Sequence, residues 1–172
     1  MPSPDRLRVL AKEIETDLQQ VDRLARDLAG ARARWTQSPG QEELVYAGYL
    51  LHGIYSAWES AFHRIAATFE NRLDPAQWHT QLLERMALDI PGIRPSVIGQ
   101  PELLLLHKMR AFRHFFRHNY AAPMDFDEIQ LVLKRYDEAS TQVGVRLQEF
   151  LRKMGELSGE SDQSGQGTGI QF

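Results

Sequence analysis

The chemistry of this chain is concentrated between Leu103 and Met124, a stretch without an acidic residue. It carries Lys108, Arg110, Arg113 and Arg117, together with His107, His114 and His118. Three of the six histidines thus fall within twelve residues. Guanidinium groups match phosphate oxygens bidentately, and an imidazole with an ordinary pKa of about 6.5 can move protons near neutral pH. Arginine and histidine suffice in principle to cleave RNA without a metal. The imidazole takes the ribose 2′-OH proton or protonates the leaving oxygen, and the guanidinium stabilises charge on the phosphorane-like transition state. The simpler alternative is a solvated helix face whose cations pair with carboxylates on a neighbouring helix. His114 and His118, four apart, could share a helix face as two metal ligands. Two ligands are too few and the surrounding cations repel a divalent ion, so no metal site is expected. No cofactor is expected either. There is no Gly-rich phosphate loop or paired-aspartate motif that would make the chain a nucleotidyltransferase.

Elements that position these residues must be helices. The eight prolines (2, 4, 39, 75, 91, 95, 101 and 123) leave long proline-free stretches, and proline suits only the first turn of a helix. Ser3-Pro4, Ser38-Pro39 and Asp74-Pro75 each offer an N-cap oxygen followed by proline at N1. Gln41 and Gln77 stand where the second member of a capping box would, and Asp125 with Glu128 repeats the pattern. Residues of one face recur at alternating steps of four and three, as in Leu44, Gly48, Leu51, Tyr55, Trp58, Phe62, Ile65 and Phe69. A second run, with one polar member, is Phe126, Ile129, Leu133, Tyr136, Ser140, Val143, Leu147, Phe150 and Met154, and a weaker stripe is Leu7, Leu10, Ile14, Val21, Leu24 and Leu28. No segment alternates with period two. The spacing predicts five helices, near 5–35, 40–71, 75–88, 101–119 and 125–155. They form an all-α antiparallel helical bundle with a shared core. The segment 90–100 is too rich in Pro and Gly to be helical. Residues 1–157 read as one domain, and 158–172, mostly Ser, Gly, Gln and Thr, as a flexible tail.

The 172 residues suit one domain, with 42% apolar and 25% charged residues. Absence of cysteine excludes a disulfide scaffold and a thiol nucleophile. A net charge of −3 and a pI near 6.1 confine any nucleic-acid contact to a local patch. No apolar run approaches the ~20 residues of a membrane span, and the N-terminus lacks a signal-peptide core. A cytoplasmic protein is expected.

Arg113-His-Phe-Phe-Arg-His118-Asn-Tyr120 fits an R-x4-H-x-Y pattern, and in this it resembles HepT toxins of the HEPN superfamily. Tyr49-Leu-Leu-His-Gly-Ile-Tyr-Ser-Ala-Trp-Glu-Ser-Ala-Phe is similar to that family's long second helix. Trp78-His79-Thr-Gln-Leu-Leu-Glu-Arg-Met and Ile90-Pro-Gly-Ile-Arg-Pro are similar to its following segment. The resemblance spans about residues 40–150. It implies a HEPN-like bundle that dimerises with the motif helices facing across a shared cleft. It also implies a metal-independent ribonuclease toxin, paired with a minimal nucleotidyltransferase antitoxin of the MntA type that transfers AMP to the motif tyrosine. On this resemblance Arg113 and His118 are the catalytic pair and Tyr120 the AMP acceptor, with Arg117, Arg110 and His114 as RNA-binding candidates.

Residues five apart on an ideal helix point about 140° from each other. Arg113 and His118 therefore need a bent or frayed helix end, or two protomers, to meet on one phosphate. Elsewhere, His79 reads as a packing or capping residue, and His52 and His63 as interfacial polar groups. Glu59 is a candidate to pair with a cation of the motif helix, and Trp58, Phe62 and Phe69 are core. Arg152-Lys153 suit the dipole at the end of the fifth helix. Two other functions remain open on sequence alone: a non-catalytic scaffold that binds a nucleotidyltransferase or other partner, and a nucleotide-holding subunit of such an enzyme.

Overall fold

The computed structural model describes residues 2–35, 38–70, 78–118 and 123–163. Five helices follow in order: α1 (Pro4–Ala33), α2 (Gln41–Phe69), α3 (Trp78–Met86), α4 (Gln100–His118) and α5 (Phe126–Gln163). Among the described residues there is no strand, only an isolated bridge between Ile90 and Arg94. The all-α expectation is met.

Helix directions follow from which residues meet. Arg6 lies on Ala67, Asp17 on Arg64 and Leu24 beside Gly53, so α1 and α2 are antiparallel. Glu59 meets Arg113 while Gln41 meets Met124, which sets α4 antiparallel to α2. Trp58 stacks near Tyr136 and Phe69 meets Phe150 edge to face, so α5 runs parallel to α2. Helix α2 touches all four others. That explains its almost uncharged middle: Leu50, Leu51, Ile54, Trp58, Phe62 and Ile65 are buried.

Ser3 Oγ accepts the Arg6 N–H at 3.3 Å with Pro4 in the first turn, as its sequence predicts. Asp125 caps α5 by accepting the N–H groups of Asp127 and Glu128 at 2.7 and 3.3 Å. At α2 the cap differs from expectation. Gly40, not Ser38, is the N-cap, and Glu43 rather than Gln41 closes the loop by accepting the Gly40 N–H at 2.8 Å. Gln41 is used elsewhere: its amide accepts the Met124 N–H at 2.7 Å and donates to the Met124 carbonyl at 2.8 Å. One primary amide can satisfy both halves of a backbone residue in this way. The Asp74-Pro75-Gln77 cap lies outside the described residues. The fifth helix continues through Gln163, past the composition break at 158, and 164–172 lie outside the description. Arg152-Lys153 therefore sit inside α5 instead of at its end, and Arg152 pairs with Glu156.

The Pro/Gly-rich segment before α4 is held by a group that sequence patterns do not flag. Gly92 takes φ +76°, open to glycine, in the turn between Ile90 and Arg94. Arg94, 3% exposed, uses all five of its N–H donors. Nε and Nη2 bond Glu70, Nη2 also bonds the Arg85 carbonyl at 2.8 Å, and Nη1 reaches the Leu88 and Pro95 carbonyls at 3.2 Å. Arg85 Nε shares the other Glu70 oxygen at 2.5 Å. The C-terminus of α2, the end of α3 and the loop into α4 are thereby joined. Replacing Arg94 with Met strands buried carbonyls and half of a buried carboxylate pair. The expected loss is about 3–5 kcal/mol, read from urea unfolding.

Among the described residues no helix is long and apolar enough to cross a membrane.

Candidate active site

Helix α4 lies against α2 because a glycine lets it. A Cβ on Gly48 would stand 2.7 Å from Phe116 Cε2, so only glycine admits the ring at this depth. Phe116 also contacts the His52 ring at 5.9 Å and stacks with Phe112. With Leu105, Leu106 and Met109 these rings bury one side of α4 and turn the other side out.

On the outward side is an open depression of about 480 Å³ lined by Glu59, Arg110, Ala111, Arg113, His114, Arg117 and His118. The candidate pair Arg113 and His118 and the three RNA-binding candidates Arg110, His114 and Arg117 all line it. Helical geometry explains how Arg113 and His118 share it in one chain. On a 100° wheel Arg117, Arg110 and His114 fall between these two, so the depression spans the whole ~140° sector. The helix needs neither a bend nor a partner protomer for this: α4 runs unbroken to His118, its last residue. Tyr120, the third member of the motif, lies outside the described residues.

Arg113 forms the inner wall. Its Nη1 donates to Glu59 Oε2 at 3.0 Å and Oε1 at 3.3 Å, and its guanidinium lies 5.7 Å from the centre of the Tyr55 ring. Glu59 is only 6% exposed. The pairing expected for Glu59 is present, and α2 therefore fixes the orientation of the arginine. Nε of Arg113 is buried and has no partner among the described residues.

His118 forms the exposed rim. Its Nδ1 lies 2.8 Å from the His114 carbonyl. A carbonyl can only accept, so Nδ1 carries the proton in this bond, and the lone pair of the neutral ring is on Nε2. The rings of His114 and His118 are 4.3 Å apart and tilted by 36°. One backbone bond thus selects the tautomer that a general base requires.

The field around the depression is positive, with three guanidiniums against one carboxylate. His52, on the flank, registers it: burial first, then Arg113 and Arg117, push its pKa below the ordinary value. Burial, and then the charge of Glu59, push the Tyr55 phenol upward, so it stays protonated. Among the described residues no group of three or more His, Cys, Asp or Glu side chains stands together as a metal site.

Other candidates fall elsewhere. His107 pairs with Glu84 at 2.8 Å and ties α4 to α3. Lys108 lines a separate α4/α5 depression. Trp58 and Phe62 are core, as expected, while Phe69, expected there too, is only partly buried and packs at its edge. Tyr55 was not apparent as a site residue, because in sequence it is one more member of the α2 apolar stripe. The available signal was its place one turn before Glu59.

The fold is an all-α bundle with an arginine–histidine depression at the end of its fourth helix. The model of the HepT-like protein family matches residues 47–154, well over half of the chain. The chain belongs to the HepT-like family. Neither the curated proteins nor the solved structures yield a match.

Proposed function

We propose that this chain is the toxin of a toxin–antitoxin pair and acts as a metal-independent endoribonuclease in the cytoplasm. The observation that carries this reading is the shared depression. A guanidinium held by Glu59 and an imidazole with its Nε2 lone pair free of the helix bond line one solvent-open site. In the proposed reaction Nε2 of His118 takes the 2′-OH proton while that oxygen bonds to phosphorus. The P–O5′ bond breaks, the leaving oxygen takes a proton from solvent water, and a 2′,3′-cyclic phosphate remains. Arg113 stabilises the charge on the non-bridging oxygens. Arg110, Arg117 and His114 hold the adjoining backbone. A homodimer, with two such depressions facing, adds their potentials.

The antitoxin in this reading is an MntA-like nucleotidyltransferase that adds AMP to Tyr120. Two peptide steps separate Tyr120 from His118, at most about 7 Å between Cα atoms. An adenylyl phosphate there competes with substrate phosphate for the same cations.

The test is expression of the chain alone and with a cognate nucleotidyltransferase, and incubation of the purified protein with RNA in EDTA. Growth arrest and cleavage that persist in EDTA are expected. The Tyr120→Phe protein should remain toxic and escape neutralisation. Mass spectrometry should find AMP on the wild-type chain and none on the variant. If RNA stays intact while the chain still binds the transferase, the scaffold function replaces this one. The Arg113–Glu59 ion pair would then be a purely structural contact.

A further inference from the structure

A second depression, of about 380 Å³, lies between α4 and α5 and adjoins the first. Ala111 lines both. On the 100° wheel of α4, Ala111 falls about 20° beyond His118, Phe115 about 60° beyond it and Lys108 about 80°. His118 therefore stands at the edge of the active-site depression that borders this groove. Phe115 and, from α5, Leu131 and Val132 give the groove an apolar lining. Leu131 leaves 55% of its surface exposed there. Lys108, Arg135 and Glu128 supply the polar groups.

Resting on the ribonuclease reading, we propose that this groove is a nucleobase subsite. It takes the base of the nucleotide whose 2′-OH His118 deprotonates, on the 5′ side of the cleaved bond.

The occupant follows from chemistry and place. The 2′-oxygen is carried by the carbon next to the one that bears the base, so this base is the part of the substrate nearest the His118 edge. Across that edge come Ala111, whose single methyl leaves a low wall, and then Phe115. A flat base stacks on an aromatic ring, and such stacking is how unpaired RNA is commonly held. Lys108 and Phe115 are two helical turns apart, roughly 10 Å, which leaves room for one base. Glu128 can accept from an exocyclic amino group, and its own N–H is bonded to Asp125 at 3.3 Å in the first turn of α5. Lys108 and Arg135 can donate to a base carbonyl or ring nitrogen, and their charges extend the positive field of Arg110 and Arg117 along a polyanion.

The experiment uses an RNA strand with a single cleavable ribose in a 2′-O-methyl background, intact or with the base removed at that ribose. In the wild type, removal of the base is expected to lower kcat/KM about tenfold, within the usual worth of one stacked base. Phe115→Leu keeps an apolar side chain for the core, and Leu131→Gln changes an exposed position, so both should melt near the wild type. Each is expected to lower kcat/KM on the intact strand several-fold and to lose most of the response to base removal. Variants that cleave the intact strand as the wild type does, or that respond to base removal as it does, overturn the proposal. So does conversion of a dimer to a monomer by Leu131→Gln, which assigns the groove to a second copy of the chain.

A second arm does not depend on turnover. A fully 2′-O-methylated strand carrying 5-iodocytidine is bound and irradiated, and the crosslinked residues are identified by mass spectrometry. Crosslinks on Phe115 that an excess of unlabelled strand removes support the proposal. Crosslinks that avoid the groove, or none at all, overturn it even if RNA is cleaved. Crosslinking on Phe115 without cleavage of any RNA refutes the ribonuclease reading alone.

Discussion

Replacing His118 with Ala is expected to slow RNA cleavage on the order of 10²–10⁴-fold and to abolish growth arrest on expression. The expectation follows from the bond that fixes the ring. Nδ1–H is engaged by the His114 carbonyl, so Nε2 is the atom available to accept a proton. His118 is exposed at the last residue of α4 and supports none of the core. The variant should therefore melt close to the wild type, and activity loss will not report unfolding. His118→Gln sharpens the test, because an amide can reach the carbonyl and cannot take up a proton. Rapid RNA cleavage by either variant would remove His118 from the catalytic role and leave Arg113 as a binding residue only.

The second large effect concerns Arg113. Arg113→Lys is expected to lower kcat on the order of 10²–10³-fold, the usual cost of losing an oriented donor to a charged transition state. The lysine keeps a positive charge for the buried Glu59 carboxylate, so it should cost less stability than removing the cation altogether. It loses the planar fork that can serve carboxylate and phosphate at once. Arg113→Ala is a poorer probe. It leaves Glu59 buried without its guanidinium and costs stability on the order of 3–5 kcal/mol, which confounds the activity reading. Steady-state kinetics with urea unfolding on both variants separates the two effects. An Arg113→Lys protein with full kcat would show that the charge alone, without its geometry, serves the reaction.

The helical architecture was legible because every long apolar stripe here has period 3.6, and because proline marks the breaks. Boundaries were less legible where side chains had rival partners. Gln41 has the spacing of a capping box, yet its amide serves Met124, eighty-three residues away. Such long-range bonds leave no periodic trace. Arg94 is the same lesson in charge. Its loop reads as polar and irregular, while the fold buries its guanidinium completely against Glu70. Residue types placed Arg113, His118 and the flanking cations on one helix, and the fold sets them along one depression. Glu59 could be anticipated as the acidic residue in an otherwise apolar face of α2. Tyr55 could not, because an aromatic at a core position becomes a site residue only when a neighbouring helix sets a cation over it.

The Gln41–Met124 clamp has a mechanical consequence. Both halves of one backbone residue just ahead of α5 are tied to the first turn of α2. The entry of the last helix is thus indexed to the second, and a force applied to either one is felt by the other.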